Sequence, residues 1–301
     1  MTPPGIYLLH YPKEAVMVAR SAVTDDLIVQ RTNDDARIEI SGLTKRFLTP
    51  SGEVFTALRD VSFTVEPGQF CAVVGPTGCG KSTTLSMVSG LDTPSEGSVK
   101  VGGRPVEGIT DGVSFMFQAD ALLPWKTVLG NVLLGPAFKR VGKKQALVLA
   151  NDWLRRVGLS GFEDRYPHQL SGGMRKRVAM AAALINRPRI LLMDEPFGAL
   201  DVQTKAIMST ELLDLWEQIR PSVIFITHDL DEAVALADRV VVMTSSPGSI
   251  KASYDIDLPR PRGSVQEIKY EPRFVELQHQ IWETLREEVE RAYARTAGGK
   301  Q

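Results

Sequence analysis

Cysteine is scarce in this sequence, with only Cys71 and Cys79 among 301 residues. They fall in a short apolar segment and in the glycine-rich loop that follows it, where a disulfide would distort both. Both are therefore expected as free thiols in a reducing compartment. Histidine is sparse as well: there are four, none at metal-ligand spacing, which argues against a zinc site. Long apolar runs are missing. The longest, Val178–Ile185, has eight residues, against roughly twenty needed to cross a bilayer. The opening residues lack the basic start and compact apolar stretch of a secretion signal. The formal net charge is only −1, so no general affinity for nucleic acid or anionic lipid is implied. These absences lead to the expectation of a cytosolic chain whose membrane association must come through a partner. The remainder, 43% hydrophobic and 24% charged, is ordinary for a soluble globular protein with a substantial core.

One stretch organises the rest. Gly75-Pro76-Thr77-Gly78-Cys79-Gly80-Lys81-Ser82, followed by Thr83, has the form G-x-x-x-x-G-K-[ST]. Before it, Gln69–Val74 reads as a buried strand; after it, Thr84–Gly90 has the spacing of a starting helix. Strand, glycine loop and helix N-terminus together make a phosphate cradle. The glycines let backbone N–H groups turn inward, the helix dipole favours negative charge, and Lys81 adds a full positive charge. Ser82 would give its hydroxyl to Mg²⁺. The stretch predicts a nucleoside triphosphate site.

In chain order, residues 1–36 carry three prolines and no sustained period, and read as a mobile arm or an extra element. Arg37–Leu43 alternates like a half-exposed strand, with Thr44–Phe47 leading into a loop. Glu53–Leu58 and Val61–Val65 predict two further strands, completing an antiparallel β lobe. Ser98–Val101 and Val113–Phe117 are short strands, the latter ending at Gln118. From Ala119 to about Gln169 the spacing turns helical, notably over Val128–Leu134 and Gln145–Val157. Within this stretch Lys139, Arg140, Lys143 and Lys144 form a basic cluster that reads as a solvated helix end. Met174–Asn186 predicts a long helix, Ile190–Met193 a buried strand, Glu211–Gln218 a helix in which Trp216 packs, and Val223–Ile226 a strand. A helix over Leu230–Ala237 and a last core strand over Val240–Met243 follow. Strands alternating with helices predict an α/β fold with a mostly parallel sheet. Pro259–Gly263 reads as a linker, and Phe274, Leu277, Ile281, Leu285 and Val289 mark a C-terminal helix that packs on the core.

The chemistry gathers at strand ends. Asp194 follows a buried strand and suits indirect coordination of Mg²⁺. Glu195 beside it can polarise an attacking water as general base. Gln118 can touch the metal or the water, and His228, at the end of Val223–Ile226, can contact the γ-phosphate. In Leu170-Ser171-Gly172-Gly173, Ser171 is a candidate helix N-cap whose following glycines present N–H groups at a positive dipole end. This is a second anion site in a chain with one lysine-bearing cradle. A head-to-tail dimer resolves the mismatch, each such site closing over the partner's γ-phosphate; an ordinary capped helix is the alternative.

The order Gly75–Ser82, Gln118, Leu170–Gly173, Asp194-Glu195, Gly198-Ala-Leu-Asp201 and His228 resembles the nucleotide-binding subunit of ABC transporters, from about Arg37 to Gly248. The resemblance implies an ABC-type domain over residues 37–258, with a RecA-like, mostly parallel core and an inserted helical subdomain near 119–175. Residues 259–301 would add a linker and helix. It implies that ATP is the nucleotide, that Phe47 stacks on adenine, and that Ser171, Gly172 and Gly173 complete the partner's site. Asp201 would lie at the dimer seam, with two ATP molecules sandwiched between two copies. The groove beside Gln118–Trp125 would receive a helix from a membrane permease, placing the chain on the cytoplasmic face of the membrane.

More finely, Phe117–Trp125, Tyr166–Arg175, Asp194–Asp201 and Ser245–Arg262 are similar to the nitrate/sulfonate/taurine importer family. That family implies uptake of a small anionic or zwitterionic solute, delivered indirectly by a periplasmic binding protein. Met174 is common in that family. Two departures stand in the signature helix, Lys176 where Gln is usual and Ala182 where Arg is usual. A soluble ABC ATPase acting on nucleic acid or ribosomes is the competing class. Such proteins usually have long coiled-coil arms, zinc cysteines or a second cassette, none of which is present in this sequence.

Overall fold

The structure, a computed structural model, describes residues 36–298. The expected N-terminal arm lies, but for its last residue, outside the described residues.

Ile38–Leu48 (β1) and Val54–Val65 (β2) pair antiparallel as a long hairpin. Phe70–Val74 (β3) leads through the glycine loop into Lys81–Ser89 (α1). Glu96–Val101 (β4), Arg104–Pro105 (β5) and Val113–Met116 (β6) follow. The helical stretch holds Val128–Val132 (α2), Leu134–Phe138 (α3) and Lys143–Arg156 (α4), then a 3₁₀ turn over Pro167–Gln169. Gly172–Leu184 (α5), Ile190–Asp194 (β7), Val202–Ile219 (α6) and Ser222–Ile226 (β8) return to strand–helix alternation. Leu230–Leu236 (α7), Arg239–Met243 (β9), Ile250–Asp255 (β10), Val265–Ile268 (α8) and Pro272–Gly298 (α9) complete the described chain.

Two sheets result. One is antiparallel, in the order β2-β1-β4-β5; the other runs β10-β9-β3-β8-β7-β6. In the second, β10 pairs antiparallel with β9 and every other pair is parallel. Parallel neighbours need crossover connections, which the helices supply. The inner strands read as unbroken apolar runs because both their faces are covered. Alternate residues divide between two cores. Cys71, Val73, Leu192, Ile224 and Val241 face the antiparallel sheet and α1, whereas Ala72, Val74, Leu191, Phe225 and Val240 face the helices. Trp216 is fully buried with its ring edge-on to Phe70 at 5.6 Å.

The structure amends several sequence expectations. Strand β1 runs through Thr44–Phe47 up to the expected loop at Pro50–Gly52, and its register slips within that stretch so that Phe47 lies opposite Phe55. The two expected strands over Glu53–Val65 are one, bent where Asp60 takes a φ of 50°. Helix α6 begins at Val202, well before Glu211, because Asp201 caps it by accepting the Thr204 N–H. Strand β9 is not the last, since β10 follows it at the sheet edge. Pro259–Gly263 is coil but anchored: Arg260 donates to Asp238 at 2.7 Å and Arg262 to the Ala237 carbonyl at 2.6 Å. On α9 the fifth fully buried stripe position is Glu288, with Val289 only half-buried.

Candidate functional site

The glycine loop's geometry follows from its residues. Gly80 has a φ of 93°, which L side chains rarely adopt, and a Cβ there would fall 2.4 Å from Leu58 Cδ2. Gly78 takes a φ of 78° with nothing near its missing side chain. Lys81 is 7% exposed, and its ammonium donates to the carbonyls of Gly75 at 2.8 Å and Pro76 at 2.9 Å. Cys79 turns inward, and burial raises its thiol pKa. Cys71 is pushed up to about 12 by burial in β3. Both cysteines are free thiols.

This loop floors a cleft of about 610 Å³. Thr77, Gly78, Gly80, Lys81, Ser82 and Thr83 form its base, with Gln118, Asp194, Glu195 and His228 along one side. Phe47 stands at the rim. The β6, β7 and β8 ends deliver the polar groups to one place because the strands are parallel neighbours. The Asp194 carboxyl is raised above its ordinary value, chiefly by burial and then by the adjacent Glu195 charge; the Ser82 hydroxyl and Lys81 oppose the rise. Glu195 adopts a φ of 44°, a backbone conformation that costs a non-glycine residue about 1 kcal/mol. Its Oε2 accepts from Gln118 Nε2 at 3.3 Å and lies 3.4 Å from His228 Nδ1.

Gly75, Pro76 and Cys79 support the base of this cleft without lining it. Ser171, Gly172, Gly173 and Asp201 do not line it either. They meet elsewhere: Ser171 caps α5 by accepting the Met174 N–H at 3.3 Å, and a Cβ on Gly173 would come 3.1 Å from Thr204, in the first turn of α6. Two capped helix N-termini therefore sit side by side. The cleft also includes Phe55 and Ala57, which the sequence reading did not single out. Their signal was the register of the β1–β2 hairpin, which sets Phe55 opposite Phe47.

Lys176, a departure from the family pattern, is 3% exposed. It donates to the Gln118 carbonyl at 2.7 Å and pairs with Asp120 at 3.1 Å, tying α5 to the segment after β6. A second groove lies beside that segment, lined by Phe117, Ala121, Leu122, Leu134 and Ala182 among others. Ala182, the other departure, leaves space there.

Oxygen donors for a hard cation are present in the first cleft. Ser82 and Asp194 both line it, and Asp194 is a half-buried carboxyl beside a second one, an arrangement a divalent cation would relieve. Among the described residues no cluster of three or more His, Cys, Asp or Glu could hold a metal on its own. The two oxygen donors Ser82 and Asp194 would suit an ion such as Mg²⁺, which keeps few protein ligands and takes the rest from phosphate and water. Among the described residues no helix is long and apolar enough to cross a membrane.

Comparisons with known proteins converge. The family model described as ABC transporter matches residues 58–198. An uncharacterized ABC transporter ATP-binding protein of Methanocaldococcus jannaschii is 43% identical over 265 residues, covering 88% of this chain and 97% of that protein. A nitrate import ATP-binding protein of Synechocystis sp. is 42% identical, covering 83% and 95%. An aliphatic sulfonates import ATP-binding protein of Bacillus cereus is 40% identical, covering 77% and 92%. Among solved structures, a dimeric ATP-binding cassette in a post-hydrolysis state with ADP and Pi has 31% identity and a TM-score of 0.66. It covers 74% of this chain and 100% of that one.

Proposed function

This chain belongs to the ABC transporter family of ATP-binding proteins, and on that premise we propose that it is the ATP-hydrolysing subunit of an importer for a small anionic or zwitterionic solute. The observation that carries the site reading is the separation just described. One cleft holds Lys81, Ser82, Gln118, Asp194, Glu195 and His228, while Ser171–Gly173 and Asp201 lie elsewhere on the same chain. The site is completed when a second copy brings its α5 N-terminus over the nucleotide.

The parts then take these roles. The loop N–H groups from Gly78 to Thr83 and the Lys81 ammonium bind the β- and γ-phosphates, and Phe47 packs against the adenine. Ser82, Asp194 and Gln118 are the residues that would hold Mg²⁺, which would neutralise phosphate charge. Glu195 Oε2 accepts the proton of the attacking water. Gln118 and His228 orient that carboxylate, and His228 also reaches the γ-phosphate. Asp201, capping α6 beside Ser171, lies at the seam between copies. The strained backbone at Glu195 is consistent with a carboxylate held where chemistry needs it.

The importer reading draws on the relatives named for nitrate and sulfonate import and on the groove beside Gln118–Trp125, which suits a permease helix. The chain would then work at the cytoplasmic face of the membrane, with a periplasmic solute-binding protein as an indirect partner. Residues 37–258 would be the ATP-binding domain, with its helical part near 119–175 and a C-terminal segment over 259–301. The test is ATP turnover by the chain co-expressed with its permease. Stimulation by the permease with loaded binding protein supports the reading, and turnover indifferent to both contradicts it.

A further inference from the structure

Glu288 departs from the pattern of its own helix. The core-facing positions of α9 run Phe274, Leu277, Ile281 and Leu285, all buried, and the next is a glutamate exposed only 1%. A carboxylate in an apolar seam persists only with partners. Oε2 accepts the Ser245 N–H at 2.9 Å. Oε1 accepts from Lys251 at 3.0 Å and Arg291 at 2.8 Å. Burial pushes the carboxyl up, but these donors hold it below the ordinary carboxylate range.

Ser245 begins the turn that joins β9 to β10. Thr244 closes that turn: its N–H donates to the Ser249 carbonyl, and its Oγ1 accepts the Ser249 N–H, each at 2.9 Å. On the far side Gly248 donates to the Ala57 carbonyl at 2.9 Å and accepts the Arg59 N–H at 2.8 Å, so the turn is stapled to β2. It also lies directly on the phosphate loop. A Cβ on Gly248 would fall 1.9 Å from the Cys79 carbonyl oxygen, so backbone meets backbone there. Leu58, between the two stapled residues, fills the space against Gly80. Turn, Leu58 and Cys79–Gly80 are one packed unit, and its outer end is held by a carboxylate from α9.

We propose that Glu288 is a positioning residue for nucleotide binding: by fixing the Ser245–Ser249 turn, it sets the shape of the phosphate loop. The C-terminal helix thereby tunes ATP affinity without touching ATP. The proposal rests on the ATP-site reading above. A hydrogen bond to one backbone N–H fixes the turn in direction as well as distance, which an apolar contact at position 288 would not do. Close-packed interiors transmit small displacements rather than absorbing them, so a loosened turn is felt at Cys79 and Gly80.

The experiment compares full-length wild type, Glu288→Ala, Glu288→Gln and Gly248→Ala. ATP Kd is measured by titration calorimetry and Tm by scanning calorimetry on the same samples. Glu288→Ala is expected to weaken ATP binding roughly fivefold, within the range by which residues off a site modulate it. Glu288→Gln, whose amide oxygen still accepts the Ser245 N–H, is expected to stay within about twofold. Gly248→Ala is expected to weaken binding at least as much as Glu288→Ala. Wild-type Kd in Glu288→Ala, whatever its Tm, overturns the proposal. Should Glu288→Ala not fold, Glu288→Leu, which keeps buried bulk but offers no acceptor to Ser245, is judged by the same criterion, and an unchanged Kd in Gly248→Ala overturns the link from turn to loop. Absence of ATP binding by wild type would sink the site reading itself, a separable result.

Discussion

Glu232, on the first turn of α7, is 5% exposed and carries a carboxyl pushed up to about 7, chiefly by burial. Its Oε2 accepts the Thr227 hydroxyl at 2.5 Å, and Oε1 is buried with no hydrogen-bond partner among the described residues. Lys205 and Lys269 pull the carboxyl down and Asp229 pushes it up, but none of them outweighs burial. Moving this group from its ordinary 4.5 to about 7 makes its ionisation about 3 kcal/mol harder in the folded chain than in the unfolded one. The sign follows. The folded form holds the proton more tightly, so this contribution to stability is whole below about pH 4.5 and is lost as pH rises through about 7. Glu232→Gln keeps an acceptor for Thr227 and cannot ionise. The variant should therefore resist urea better than wild type above pH 8, by up to about 3 kcal/mol, and the advantage should shrink to near zero or reverse by pH 5. Urea melts at half-unit steps from pH 5 to 8.5 provide the measurement. Parallel curves for the two proteins would refute the assignment of a neutral buried carboxyl beside the His228 segment.

The remaining predictions concern turnover. Glu195→Gln removes the proposed base but keeps an oxygen facing Gln118 and His228, so ATP Kd should stay within about threefold while single-turnover hydrolysis falls at least about a hundredfold. Near wild-type rates would reassign the base. Lys81→Ala removes the proposed charge-assisted phosphate contact and should weaken ATP binding at least about tenfold in equilibrium titrations; unchanged affinity would contradict the cradle. A mixed dimer of one Lys81→Ala copy and one Ser171→Arg copy retains one intact shared site, so its turnover should exceed that of either variant homodimer. Turnover no higher than theirs would contradict shared sites.

The residues that gather in the candidate cleft were easier to pick out in the sequence than the scaffold around them. Gly75–Thr83 follows a run of apolar residues and Asp194-Glu195 ends another, and local order of this kind survives in one dimension. Long-range pairings do not. Nothing near Glu288 in sequence announces that Ser245 and Lys251 will accommodate its charge, so Val289 looked the better stripe member. Lys176 was visible only as an unusual residue, because its partners Gln118 and Asp120 come from another element. Helix α6 hid its first turns because Val202 and Ile207 are exposed and blur its period. Strand β10 hid because no residue of Ile250–Asp255 is fully buried, leaving weak alternation. Phe55 joined the cleft through a register that only pairing with β1 reveals.

The central claim, an ATPase that drives a membrane permease, is tested most directly by isolating the tagged full chain from detergent-solubilised membranes of its own organism. Co-purifying chains are then identified by mass spectrometry. The account predicts a multi-span permease in near one-to-one amount with this chain. Ribosomal or DNA-associated partners without any permease would contradict it.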